Sequence, residues 1–285
     1  MRREPEPEPE PEPELEEALA LIEQFGPWRL ESLIAVGGLG EVWRGVREGT
    51  LQLAAVKRLH THLARNDEAL GQFAVEQRLT ETLPRHANLV HAIEHGAVEG
   101  RPYIALDLAA GADLRRMLTP PATRDRVTPA GATIPQARAL SIIRASCDAA
   151  AHLHAHGWVH GDINPSNLIV DADRAVLIDL GVARRIGEAG AVRGTHAYMA
   201  PEQVRGEAWT PATDVFALGV TLWELVANKR LFHRGPPWLS MAAVVDEAAP
   251  ALADRALDEI VQAALAKDPA HRIASASELA LRLCN

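Results

Sequence analysis

The chain has 285 residues, 47% of them hydrophobic, and no apolar run near the roughly 18 residues of a membrane span; it is long enough for two buried cores. Its net charge of −9 sits at one end: residues 1–23 hold nine Glu and two Arg, which leaves −2 for the rest and no basic surface for nucleic acid. Cys147 and Cys284 offer no disulfide framework and suit a reducing, cytoplasmic setting, and Met1-Arg2-Arg3 runs into Glu and Pro rather than into the apolar core of a signal peptide.

From Glu4 to Glu14 the sequence alternates Glu and Pro. Such a tract cannot bury a core and is expected to be a disordered, extended tail over residues 1–14, either solubilising or docking a basic partner. Leu15, Ala18, Leu19 and Ile22 then recur at helical spacing, which predicts a short amphipathic helix and linker over residues 15–27, ended by Gly26-Pro27.

The body opens with a strand-like Arg29–Ile34 and continues Ala35-Val36-Gly37-Gly38-Leu39-Gly40-Glu41-Val42-Trp43, a hairpin whose glycines leave room for phosphates. Leu53–Lys57 alternates like a strand and leaves Lys57 at its end, expected to face solvent. Glu76 lies on a helical segment nineteen residues later. Tyr103–Leu108 is an apolar strand entering a small-residue connection, and Asp113 beyond it suits either a ribose contact or a helix cap. Leu118 to Gln136 reads as a surface loop. Pro135 suits the first turn of a long apolar helix, Ala139 to His156, that follows. His152, His154, His156 and His160 invite a metal reading, but steps of two residues do not share a helix face, so no metal site is read there.

Val159 to Gly181 organises the rest: a loop with His160, Asp162 and Asn167, then strand, turn and strand ending in Asp179-Leu180-Gly181. The three oxygen donors Asp162, Asn167 and Asp179 suit a hairpin that brings them to one mouth. Few hard oxygens of this kind suit Mg²⁺ bound together with phosphates.

These stretches together resemble the eukaryotic-like (Hanks-type) serine/threonine protein kinases. His160-Gly161-Asp162 to Asn167 is similar to H-R-D-x-x-x-x-N, with Gly161 for Arg and Asn164 for Lys. Asp179-Leu180-Gly181 stands where D-F-G does, and the glycine-rich hairpin fits G-x-G-x-x-G-x-V with Ala35 at the first glycine. Ala54-Ala55-Val56-Lys57 resembles V-A-I-K, and His86–Val90 resembles H-P-N-I-V. Gly194-Thr195 to Glu202 resembles G-T-x-x-Y-x-A-P-E. Asp214–Gly219 and Lys267-Asp268-Pro269 to Arg272 resemble D-V-x-x-x-G and K-D-P-x-x-R.

The resemblance covers about residues 28 to 283. It implies an α+β, bilobal protein-kinase-like fold, with a small β-rich N-lobe over residues 28–107 and a larger, mainly helical C-lobe over residues 108–285. It also implies ATP and Mg²⁺ as cofactors and Ser/Thr hydroxyls of a protein as acceptors. In that reading Asp162 accepts the hydroxyl proton, Asn167 and Asp179 hold the metal, Lys57 set by Glu76 anchors the phosphates, and Thr195 lines the catalytic site. Ala35, Val36, Gly37, Gly38, Gly40, Val42, Ala55, Lys57, Leu106, Asp107, Ala109 and Asp113 bind the nucleotide. His160 packs beneath Asp179, and Arg272 pairs with a buried Glu202.

Two other functions stay in view. Asn164 leaves no cation between Asp162 and Asn167, as in a nucleotide-binding pseudokinase scaffold. His160-Gly161-Asp162 to Asn167 also matches the H-G-D-x-x-x-x-N of aminoglycoside and choline kinases, which lack the Ala200-Pro201-Glu202 segment and the later Arg. Gly161 removes the usual receptor for an activation-loop phosphate, and Val182 to Gly194 contains no Ser, Thr or Tyr, so the loop is expected to work without phosphorylation. The sequence carries no signal of oligomeric state.

Overall fold

The computed structural model describes residues 22–118, 134–172, 174–190 and 192–284. The Glu-Pro arm, the expected helix up to Leu21 and residues 119–133 of the expected surface loop lie outside them. The chain divides into two compact units. The first runs to Phe73 and resumes over Ala92–Leu108; the second comprises Ala74–His91 and Ala109–Asn285.

The first unit is one antiparallel sheet. Its strands are β1 (Glu23–Phe25), β2 (Trp28–Val36), β3 (Gly40–Arg47), β4 (Leu53–Leu59), β5 (Ala92–Val98) and β6 (Arg101–Asp107), ordered β1-β2-β3-β4-β6-β5. Residues 23–27, expected as part of a linker, are therefore a strand and a turn: Phe25 pairs with Trp28 across Gly26, whose φ of +57° suits the reversal.

The period of two sorts this sheet's residues by face. Phe25, Trp28, Leu30, Trp43, Ala54, Val56, Tyr103 and Ala105 form its core. Arg58 closes that core, with its guanidinium 4.9 Å from the Phe25 ring centroid and 5.2 Å from that of Trp43, and in ion pairs with Glu23 and Glu41. The opposite face is fixed by direct pairs: Ala35 opposite Val42, Val42 opposite Lys57, and Ala55 opposite Leu106. Helix α1 (Asp67–Thr82) follows, and the boundary between the units falls within it.

The second unit is built on helices: α2 (Leu114–Leu118), α3 (Gln136–Ala155), α4 (Pro201–Val204), α5 (Pro211–Ala227), α6 (Pro237–Asp246), α7 (Arg255–Ala264) and α8 (Ala276–Arg282). Pro135 stands as the N-cap of α3, just before its first turn. Helix α5 is buried at every residue from Ala212 to Leu225, as expected of a helix apolar on all sides, and it packs on α3 and α7. At its start Thr213 Oγ1 accepts the Thr210 N–H at 3.0 Å, and Asn228 ends it in the left-handed conformation.

Glu202 and Arg272 pair as expected, at 2.7 and 3.0 Å in a two-pronged, fully buried contact. Arg272 Nη1 also donates to the Ala212 carbonyl at 2.8 Å. Short strands β7 (Ala112–Asp113), β9 (Leu168–Asp171) and β10 (Arg174–Leu177) make one small sheet, and β8 (Trp158–Val159) with β11 (Arg184–Arg185) another. No helix among the described residues is long and apolar enough to cross a membrane.

Candidate active site

The loop between β8 and β9 is fixed from below. Asp214, fully buried near the start of α5, accepts the backbone N–H groups of His160 at 2.9 Å and Gly161 at 2.8 Å, and the imidazole N–H of His154 at 2.8 Å. Burial pushes its carboxyl up, but the hydrogen bond and charge of His154 outweigh that and hold it below the usual carboxylate range. Gln203 Nε2 donates to the Gly161 carbonyl at 2.9 Å, so both polar atoms of that peptide are held. His160 is buried as expected: Nε2 donates to the Ile178 carbonyl at 3.1 Å, and Nδ1 accepts the Asp162 N–H at 3.2 Å.

Asp162 is held on both carboxylate oxygens. Oδ1 accepts from the Thr195 N–H at 2.8 Å and from Asn164 Nδ2 at 3.1 Å, and Oδ2 accepts from Asn167 Nδ2 at 3.0 Å. The same two amides also hold the Asp162 carbonyl, at 3.0 and 2.9 Å. Burial raises the Asp162 carboxyl above the usual range, the hydrogen bonds of Thr195 opposing it and the negative charge of Asp179 adding to it. A raised pKa and a fixed orientation both suit a general base.

Asn164 is the residue whose part was not legible. Its Oδ1 caps the 3₁₀ turn Pro165–Asn167 by accepting the Ser166 N–H at 2.9 Å, while Nδ2 reaches Asp162 and, at 3.1 Å, Thr195 Oγ1. The Asn-Pro dipeptide signals such a turn; nothing in the sequence signals the bridge to Thr195, thirty-one residues later.

The β9–β10 hairpin forms as expected, with Leu168 opposite Leu177. The Ile178 N–H therefore meets the Asn167 carbonyl at 2.9 Å, and Asn167 and Asp179 lie at one end of the hairpin. Asp179 has a φ of +65° and accepts the Gly181 N–H at 3.1 Å. With Asn167 Nδ2 committed to Asp162, its Oδ1 is the remaining oxygen donor, so Asn167 and Asp179 present a small hard-oxygen set that fits Mg²⁺ bound with phosphates.

In the first unit, Gly37 N–H closes the glycine-rich turn on the Gly40 carbonyl at 2.8 Å. Gly40 tolerates no side chain, because a Cβ there would collide with the Arg58 carbonyl. Val36 stands exposed at the entry to this turn, and Gly37 and Gly38 are open to solvent. Lys57 is 9% exposed and does not face solvent as a strand end would suggest: it lies in β4 flanked by β3 and β6, opposite Val42 and Ile104. Glu76 is buried on α1. Asp107 ends β6 opposite Ala54, and Ala109 lies in the connection beyond it. Asp113 accepts the Arg116 N–H at 2.8 Å and so caps α2, one of its two expected roles.

After Gly181 the chain is tied down by backbone pairing and by a buried ring. β11 pairs with β8, Gly187 N–H donates to the Trp209 carbonyl at 2.8 Å, and Trp209 N–H donates to the Glu188 carbonyl at 3.1 Å. The Trp209 ring is fully buried, with the Arg184 guanidinium 4.9 Å from its centroid and Gly161 against its edge.

Two units of this build, with the Asp162 loop and the buried Glu202–Arg272 pair, define an α+β protein kinase fold. Residues 28–281 match the family model of the protein kinase domain, and the chain belongs to that family. Among its relatives, serine/threonine-protein kinase PknJ of Mycobacterium bovis is 29% identical over 274 residues, 90% of this chain and 44% of that protein. PknD of Mycobacterium tuberculosis is 30% identical over 273 residues (90% and 39%), and PknA of the same species is 31% identical over 269 residues (90% and 60%). The chain thus spans about two fifths to three fifths of the length of these curated relatives.

Proposed function

We propose that the chain is an ATP-dependent serine/threonine protein kinase domain that transfers the γ-phosphoryl group to protein hydroxyls. The observation that carries this reading is the fixed carboxylate of Asp162, held by Thr195, Asn164 and Asn167 in the loop that the family uses for proton acceptance. Asp162 accepts the proton of a Ser or Thr hydroxyl as that oxygen attacks phosphorus. Thr195, locked to the same carboxylate through its N–H, lines the acceptor side. Asn167 and Asp179 supply oxygens to Mg²⁺, which, when bound with the nucleotide, offsets phosphate charge. Lys57 anchors the phosphates, and Glu76 on α1 is the acidic residue that the kinase pattern pairs with such a lysine. The turn from Gly37 to Val42 covers them, and Ala35, Val36, Ala55, Leu106, Asp107 and Ala109 receive the rest of the nucleotide. Asp113, a cap through Oδ1 with Oδ2 3.9 Å from the exposed Arg116 side chain, is the ribose contact in this reading.

Asn164 does not argue for an inert scaffold, because the bridge it makes keeps the base oriented without a cation. Losing one charge-stabilising donor slows transfer by on the order of 10²–10³ and leaves an enzyme. The test is incubation with Mg-ATP and a generic protein substrate, wild type beside Asp162→Ala, with phosphosites mapped by mass spectrometry. Phosphoserine or phosphothreonine in the wild-type reaction alone is expected. Phosphorylation of amino alcohols or aminoglycosides instead, or equal labelling by Asp162→Ala, would refute the proposal.

A further inference from the structure

The glycine-rich turn has almost no side chains with which to hold its shape. Gly37 and Gly38 are exposed, and a Cβ at Gly38 would have nothing within 4 Å. Its conformation therefore depends on backbone hydrogen bonds. One is its own, from Gly37 N–H to the Gly40 carbonyl. Two others come from a single residue just past the end of β4. His60 N–H donates to the Leu39 carbonyl at 2.8 Å, and His60 Nε2 donates to the Gly37 carbonyl at 2.9 Å.

The imidazole is itself held. Its ring stacks on His62 with centroids 5.3 Å apart at 19°, and its Nδ1 faces Glu41 Oε1 at 3.7 Å, beyond hydrogen-bond reach. Glu41 is fixed by Trp43 Nε1 at 2.9 Å and Arg58 Nε at 3.1 Å, and Arg101 Nη2 lies 3.5 Å away. The ring thus ties the turn, at the Gly37 carbonyl, to the residue just past the end of β4.

We propose that His60 is a positioning residue for nucleotide binding, whose imidazole latches the Gly37 carbonyl and keeps the turn in a phosphate-receiving shape. A carbonyl oxygen free to swing toward phosphate oxygens would repel them; one tied to an imidazole N–H leaves the backbone N–H groups of the turn to meet the anion. The inference rests on reading Gly37–Val42 as the nucleotide cover, and none of the kinase-like motifs includes His60.

Wild type, His60→Ala and His60→Gln are compared, the glutamine being long enough to restore a donor. The readouts are calorimetric Kd for Mg-ATP and for adenosine, KM for ATP against kcat, and hydrogen exchange of the peptide spanning residues 36–41. For His60→Ala, Kd and KM for ATP should rise roughly two- to tenfold, the range of one net hydrogen bond. Adenosine affinity and kcat at saturating ATP should hold within about twofold. Exchange should quicken over residues 36–41 alone, and His60→Gln should recover most of the loss. If His60→Ala does not fold, His60→Leu, which keeps bulk without a donor, takes its place. Unchanged ATP affinity without the donor, or equal losses for ATP and adenosine, overturns the latch. A wild type that binds no Mg-ATP overturns the kinase reading and the latch with it.

Discussion

Gly161, which stands at the place of the Arg in H-R-D-x-x-x-x-N, is a position the structure closes to any side chain. Its φ is +76°, a conformation that costs an L-residue roughly 1–2 kcal/mol. An added Cβ would press on Trp209 Cζ3 and lie 3.0 Å from Cε3 and Cη2 of that ring. The ring cannot retreat easily, because it is fully buried and its own backbone N–H and carbonyl are tied to Glu188 and Gly187. Overpacking of this kind costs about 1–3 kcal/mol. Gly161→Ala should therefore destabilise the protein by about 2–5 kcal/mol, a fall in Tm on the order of 5–15 °C.

The two contributions separate in a cycle. Trp209→Leu alone loses part of a large buried ring, on the order of 2–4 kcal/mol. In the Trp209→Leu background, Gly161→Ala should cost only its backbone share, leaving a coupling of about 1–3 kcal/mol. Urea denaturation followed by circular dichroism at 222 nm measures all four proteins without depending on the altered tryptophan. A Gly161→Ala protein as stable as wild type, or a strictly additive cycle, would show that Trp209 does not occupy this space as described.

Arg272→Met should cost about 3–5 kcal/mol by stranding Glu202 in the interior, and adding Glu202→Leu should recover much of it; both are read by thermal unfolding. Asp214→Asn should lose on the order of 3 kcal/mol at pH 7, because an amide offers its own N–H groups where backbone donors expect an acceptor. The folded Asp214 carboxyl lies below its unfolded value, so its stabilisation is present above about pH 3.9 and is lost as pH falls through the folded value. The gap between wild type and Asp214→Asn should therefore close below about pH 4 in a pH series of melts. Phosphatase-treated and untreated enzyme should phosphorylate an added substrate equally, since no hydroxyl occurs between Val182 and Gly194; a large loss restored by phosphate on Thr195 would contradict this.

The fold was legible where function forces residue types into short spacings. Asp162, Asn167 and Asp179 were placed on a loop and hairpin from sequence, and β9 pairs with β10 as that reading requires. The pairing of Glu202 with Arg272 crosses seventy residues and was legible only through the family resemblance. Lys57 was misjudged as solvent-facing because burial of a strand residue depends on both neighbouring strands, which a local pattern does not contain. Residues 23–27 were misjudged because three residues are too few to show a period; β1 exists by pairing with β2 and by Phe25 packing edge-on against Tyr103.

The two unusual letters of the catalytic loop have different physical consequences. An arginine at position 161 would need a carbon where Trp209 lies, and the space it would reach into is filled by a ring already stacked on Arg184. The segment after Gly181 thus has an apolar and cation–π anchor, reinforced by the β8–β11 pairing, where a phosphate and its receptor would otherwise supply order. Asn164 gives up a charge but keeps the geometry: one amide nitrogen serves the carbonyl and carboxylate of Asp162 and the hydroxyl of Thr195. Gly161 leaves the bonds to Asp162 in place and Asn164 supplies two of them, so at these two departures from H-R-D-x-x-x-x-N the Asp162 carboxylate is still held on both oxygens.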